Sequence, residues 1–199
     1  MTSAGNRTGI FGGAFDPVHL GHLKIAESFL SSNLIDNLLV LPTHESPHKE
    51  TDDQTGFSHR YEMLKLAFQD HRNVIVSDLE TRLPSPSYTL RTIEYLQKTS
   101  PEQIYFLCIG EDSLSSFHKW WRYGEILRRV PLIVASRPGV DSSCVSDSVL
   151  ESAIFVDHTE VDVSSTEIRK KARECDSLLN TLVPENVAQY IFRHHLYTD

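Results

Sequence analysis

The sequence predicts a doubly wound α/β domain, a parallel sheet covered by helices on both faces. Three observations carry that prediction. Short apolar β-type runs recur along the chain. Stretches with apolar residues at three- and four-residue spacing separate them. Gly, Pro, Asp or a polar turn stops each run. Alternation of this kind joins parallel strands through crossover helices, which bury both sides of the sheet.

The strands read, in order, as "RTGIFGG" (7–13), "NLLVLP" (37–42), "NVIVSD" (73–78), "QIYFLCIG" (103–110), "VPLIVASRPG" (130–139) and "AIFVDH" (153–158). The helices between them read as "HLKIAESFLSSNL" (22–34), "HRYEMLKLAFQDH" (59–71), "YTLRTIEYLQKT" (88–99) and "WWRYGEILRR" (120–129), each amphipathic. After "FVDHTEVDV" come "SSTEIRKKARE" (164–174) and "PENVAQYIFRHHL" (184–196), expected as a small C-terminal helical cap. The whole chain, 1–199, is expected to form one domain with 164–199 as its helical subregion. "SRPGVDSSCVSDS" is the most linker-like stretch, and no internal repeat is visible.

Composition narrows the function classes. Formal charge is −8, from 19 Lys and Arg against 27 Asp and Glu, so no general basic field draws nucleic acid or an anionic membrane. An anionic ligand must be held by a local cluster. No apolar run has the length of a membrane span. Cys108, Cys144 and Cys175 are odd in number and form no C-x-x-C pattern, which fits unpaired thiols in a reducing cytoplasm and no zinc knuckle.

Chemistry concentrates in "TGIFGGAFDPVHLGH", residues 8–22. In doubly wound sheets ligands bind outside the carboxyl ends of the strands, at the crossover where this stretch lies. Gly12 and Gly13 let a charged group approach backbone N–H groups closely, and the following helix N-terminus adds partial positive charge. Asp16 and Pro17 hold the turn between them. His19 and His22 lie one helical turn apart and share a side, so both imidazoles can donate to a phosphate during phosphoryl or nucleotidyl transfer. There is no G-x-x-x-x-G-K-[ST], no G-x-G-x-x-G and no nucleophile elbow.

A second cluster is "VSSTEIR". Ser164 and Glu167 have capping-box spacing, which starts a helix at Ser164. Ser165 and Thr166 then fall in its first turn, with Arg169 one turn beyond Thr166. A plain capped surface helix and a phosphate clamp both fit these residues alone. His44 and His48 have the spacing of a helical metal pair, but Pro47 pushes the residue before it out of the helical region.

"GGAFDPVHLGH" resembles the G-G-x-F-D-P-x-H-x-G-H signature of bacterial nicotinate-mononucleotide adenylyltransferases, within the nucleotidyltransferase superfamily marked by H-x-G-H. "SSTEIR" resembles that family's second block, and the similarity runs from residue 8 nearly to the end. The resemblance implies a Rossmann-like sheet of the nucleotidyltransferase type. It implies adenylyl transfer from ATP to nicotinate mononucleotide, giving nicotinate adenine dinucleotide and pyrophosphate in NAD biosynthesis. It assigns catalysis to His19, His22 and Arg169. It assigns ATP to Gly12, Gly13, Phe15, Ser165, Thr166, Gly110, Asp112 and Arg137, the last three through "IGEDSLSSFHKWW" and "SRPG". It assigns the mononucleotide to His48 and Lys49, in "PTHESPHK", to Tyr88 and Thr89, in "SYTLRT", and to Trp120. Ser46 departs from the family's proline there. Trp120 reads first as a platform for the pyridine ring, with ordinary core packing as the alternative. Mg²⁺ is expected only as carried on ATP, with no metal held by the protein. Phosphopantetheine adenylyltransferases and cytidylyltransferases share the H-x-G-H site but lack the S-Y-T and F-x-x-W blocks. A silent nucleotide-binding module and a metal-dependent hydrolase stand as rivals from other classes. Nicotinate against nicotinamide, and the oligomeric state, stay open.

Overall fold

The computed structural model describes residues 6–47, 55–136, 145–159, 161–174 and 177–198. Six strands form one sheet: β1 (Arg7–Gly13), β2 (Asn37–Pro42), β3 (Val74–Val76), β4 (Ile104–Gly110), β5 (Leu132–Ser136) and β6 (Ala153–Asp157). Every pairing is parallel and the order is β3-β2-β1-β4-β5-β6. The order reverses between β1 and β4, so the crevice of a doubly wound sheet opens above their carboxyl ends, at Gly13 and Gly110.

Eight helices cover the sheet among the described residues: α1 (Leu20–Ser31), α2 (Phe57–Phe68), α3 (Thr89–Thr99), α4 (Glu111–Ser116), α5 (Tyr123–Arg129), α6 (Asp147–Glu151), α7 (Ser165–Arg173) and α8 (Glu185–Arg193). Alternating strand residues feed two cores, as the pleat requires. Phe11, Leu38, Val40, Cys108 and Ile133 face Ala26 and Phe29 of α1, Met63 and Leu64 of α2, Ile168 of α7 and Val187 and Ile191 of α8. Ile10, Leu41, Leu107, Ile109 and Val134 face Leu90 and Ile93 of α3, Leu114 of α4, Ile126 of α5 and Val149 of α6. The two C-terminal helices thus share a core with α1 and α2.

Two of the boundaries that differ from the sequence reading do so for a backbone reason. The expected helix from Trp120 starts instead at Tyr123. Trp120 N–H bonds to Phe117 O at 2.9 Å, and Arg122 at the N-cap is left-handed, with φ of 55°. Both tryptophans therefore precede the helix. The last helix stops at Arg193, because His195 and Tyr197 adopt φ of 49° and 64° and turn the chain back. The helices α4 and α6, of 6 and 5 residues, are too short to show a 3.6-residue period. His48, Lys49, Arg137, Cys144 and Cys175 lie outside the described residues.

Candidate active site

The turn after β1 is built around Phe15. Its φ of 47° is costly for a residue with a Cβ, and its ring compensates by near-complete burial. The ring meets Phe11 edge-on at 5.4 Å and His22 at 4.9 Å. A Cβ at Gly13 would lie 3.0 Å from that ring, so this glycine serves the turn's own packing. Gly12 and Gly110 differ. A Cβ there would meet protein atoms no closer than 3.9 and 3.6 Å, and the space at Gly110 opens onto the crevice.

His19 is the N-cap of α1, and its N–H donates to His22 Nδ1 at 3.2 Å. Accepting at Nδ1 leaves the proton of neutral His22 on Nε2. The two rings pack against each other, tilted by 31°, with centroids 3.6 Å apart. Gly21 explains the middle of H-x-G-H: a Cβ there would fall 3.0 Å from His19 Nδ1 and 3.1 Å from Val163 Cγ1. Burial pushes the His19 imidazole down to about 4, and burial with the neighbouring His19 pushes His22 well below the usual imidazole range. Both rings are neutral at pH 7 and can each donate one N–H. His19 Nδ1 is buried with no hydrogen-bond partner among the described residues.

These histidines open into a cavity of about 310 Å³ above β4 and β5. Gly110, Asp112, His158, Ser164 and Ser165 share its wall. Ser164 caps α7, its hydroxyl accepting from Glu167 N–H at 3.2 Å. Glu167 does not complete the box; its carboxylate lies 3.9 Å from Lys171. The Ser165 hydroxyl donates to Pro17 O at 3.0 Å, so toward a ligand this residue presents its backbone N–H. Arg169 reaches the signature turn: Nη1 donates to Asp16 O at 2.7 Å and Nη2 to Thr166 Oγ1 at 3.4 Å. Thus α7 docks its N-terminus beside α1's, and two helix N-termini converge on one opening.

Tyr88, Thr89 and Trp120 gather elsewhere, around a smaller cavity of about 110 Å³ completed by Pro47, Ser87, Trp121 and Ile126. Trp120 packs on Phe117 at 5.2 Å and leans on the α3–α5 core. Trp121 stacks on Tyr88 at 4.7 Å, with the Arg91 guanidinium over both rings and Arg122 over Trp121. A wider groove of about 650 Å³ between α1 and β6 contains none of the signature residues.

Sequence reasoning missed the supports behind both cavities. Arg60 is 1% exposed and donates to Ala14 O and Thr55 O at 2.7 and 2.9 Å. The signal was available: Arg60 occupies the apolar stripe of α2 with Met63, Leu64 and Ala67, where only a partnered charge belongs. Glu80 is buried, accepting from His44 N–H and from Thr92 Oγ1, each at 3.3 Å, and burial pushes its carboxyl up. Tyr197 donates to Asp16 Oδ1 at 2.7 Å, and no local pattern in "HHLYTD" announces it.

Comparison with known proteins agrees with this architecture. Residues 10–171 match the cytidylyltransferase-like family model. A Thermotoga maritima protein named "Probable nicotinate-nucleotide adenylyltransferase" is 39% identical over 95% of this chain and 92% of its own length. A Clostridium tetani protein of the same name is 34% identical, over 94% and 97%. The solved Plasmodium falciparum nicotinic acid mononucleotide adenylyltransferase in complex with APC superposes with a TM-score of 0.79 at 17% identity, covering 96% of this chain and 97% of that one, which shows the shared fold. With a relative 39% identical over nearly its full length, the chain belongs to the nicotinate-nucleotide adenylyltransferase family.

Proposed function

We propose that this chain transfers the adenylyl group of ATP to nicotinate mononucleotide, giving nicotinate adenine dinucleotide and pyrophosphate in NAD biosynthesis. The carrying observation is the closely packed, neutral His19–His22 pair at the β1–β4 crevice, opposite the N-terminus of α7. The mononucleotide's 5′-phosphate oxygen attacks the α-phosphorus in line. The bond from that phosphorus to the bridging oxygen breaks, and its electron pair leaves on pyrophosphate. The attacking phosphate is already ionised, so no general base is needed. Positioning and charge stabilisation supply the catalysis.

His22 Nε2–H and the His19 imidazole donate to the phosphate oxygens as charge moves onto them. Backbone N–H groups of Gly12, Gly13, Ser165 and Thr166, with the Arg169 guanidinium, hold the triphosphate. Phe15 shapes the turn that carries them, and Gly110 and Asp112 receive the ribose. His48, Lys49 and Arg137 are assigned by family resemblance alone. Magnesium enters with ATP. Among the described residues no three His, Cys, Asp or Glu side chains converge. Tyr88, Thr89, Trp120 and Trp121 form an aromatic-walled site for the pyridine ring. We place the reaction in the cytoplasm; burial raises the Cys108 thiol and leaves it inert there. No helix among the described residues is long and apolar enough to cross a membrane.

The test is pyrophosphate release from Mg-ATP with nicotinate mononucleotide, nicotinamide mononucleotide and phosphopantetheine offered in parallel. Release with the nicotinate substrate supports the reading. Activity with phosphopantetheine alone overturns it.

A further inference from the structure

We propose that Tyr197 is a positioning residue for Arg169, acting through the buried carboxylate of Asp16. The inference rests on the reading above only in taking Arg169 to meet the triphosphate of ATP.

Arg169 does not stand free. Its best hydrogen bond, 2.7 Å from Nη1, ends on the main-chain carbonyl of Asp16, so its direction depends on where that peptide lies. The peptide belongs to a turn whose own hydrogen bonds run through the Asp16 side chain. Oδ1 accepts the Tyr197 hydroxyl at 2.7 Å, and Oδ2 accepts Thr55 N–H at 3.3 Å. Asp16 is 6% exposed, so water is a poor substitute for either donor. Arg60 balances the buried charge and fixes the two flanking carbonyls, Ala14 O and Thr55 O. Of these groups the phenol alone arrives from the far end of the chain, delivered by the left-handed turns at His195 and Tyr197. Burial and the adjacent Asp16 carboxylate keep that phenol protonated, so it remains a donor. The chain's last described turn therefore sets the aim of a guanidinium on α7, 28 residues earlier in sequence.

The test is a double-mutant cycle on Mg-ATP binding, read by calorimetry on the full chain, with melting temperature and turnover measured alongside. Tyr197→Phe keeps the ring and removes the donor. In the wild-type background it should weaken Mg-ATP about fivefold. In an Arg169→Ala background it should change affinity by less than about twofold, because nothing is left to aim. Tyr190→Phe, a control on α8 whose hydroxyl meets His59 Nδ1 at 3.0 Å, should leave affinity unchanged. Equal weakening in both backgrounds, weakening by the control, or a lowered melting temperature with unchanged affinity would each overturn the proposal. A wild-type chain that binds Mg-ATP but does not turn over nicotinate mononucleotide would remove the assigned reaction and leave the cycle valid.

Discussion

At the scale of single residues, the site depends on where side chains are absent as much as on where they are present. His19 occupies the volume that a Cβ at Gly21 would claim. Gly21→Ala should therefore shift the imidazole by several tenths of an ångström and lower kcat by about tenfold or more, with little change in melting temperature. Steady-state turnover beside a thermal melt checks this, and an unchanged kcat would show that the ring tolerates the shift. Burial of the two imidazoles also carries a pH signature. Unfolded, both would take a proton near their ordinary value of 6.5; folded, burial lowers His19 to about 4 and holds His22 well below its ordinary value. The unfolded state thus binds more protons in that window, and the stability contributed is complete above about 6.5 and lost as pH falls toward 4. Glu80, raised by burial, has the opposite sign and opposes stability as pH rises through its folded value. Melting temperatures between about pH 7 and pH 5 should fall for the wild type and fall less steeply for His19→Asn. Parallel slopes would contradict the assignment.

Single elements explain what the sequence could announce. Ser164 was legible as a cap because a hydroxyl three residues before Glu167 has one favoured partner, the N–H it is found accepting from. Ser164→Ala should destabilise by about 1 kcal/mol. It should also raise KM for ATP more than KM for the mononucleotide, since it frays the helix end proposed to hold the phosphates. Denaturant unfolding and paired KM measurements check both halves. The six strands were legible for an equally local reason: each is a short apolar run stopped by a turn residue. The start of α5 was not, because it depends on a left-handed Arg122, a conformation no residue type at that position demands. Trp121 fell outside the reading for the same reason. Placed ahead of the helix, it stacks on Tyr88 from another element, a contact that only the tertiary fold creates.

Across the whole molecule, the doubly wound topology brings together what lies far apart in the chain. The signature turn after β1 receives Arg169 and Ser165 from α7, Arg60 from α2 and Tyr197 from beyond α8. Motif spacing revealed the first pair because their chemistry is written in one short block. Arg60 and Tyr197 act on backbone carbonyls and a buried carboxylate, partners with no sequence pattern of their own. The histidine-lined cavity lies at the switch point that the strand order dictates, and the aromatic-lined one sits between Pro47 and α5. The most direct test of this account follows the α-phosphorus. With Mg-ATP labelled at that atom and nicotinate mononucleotide as acceptor, chromatography should find the label in the deamido dinucleotide and unlabelled pyrophosphate beside it. Label recovered in ADP or free AMP, with no dinucleotide formed, would contradict adenylyl transfer.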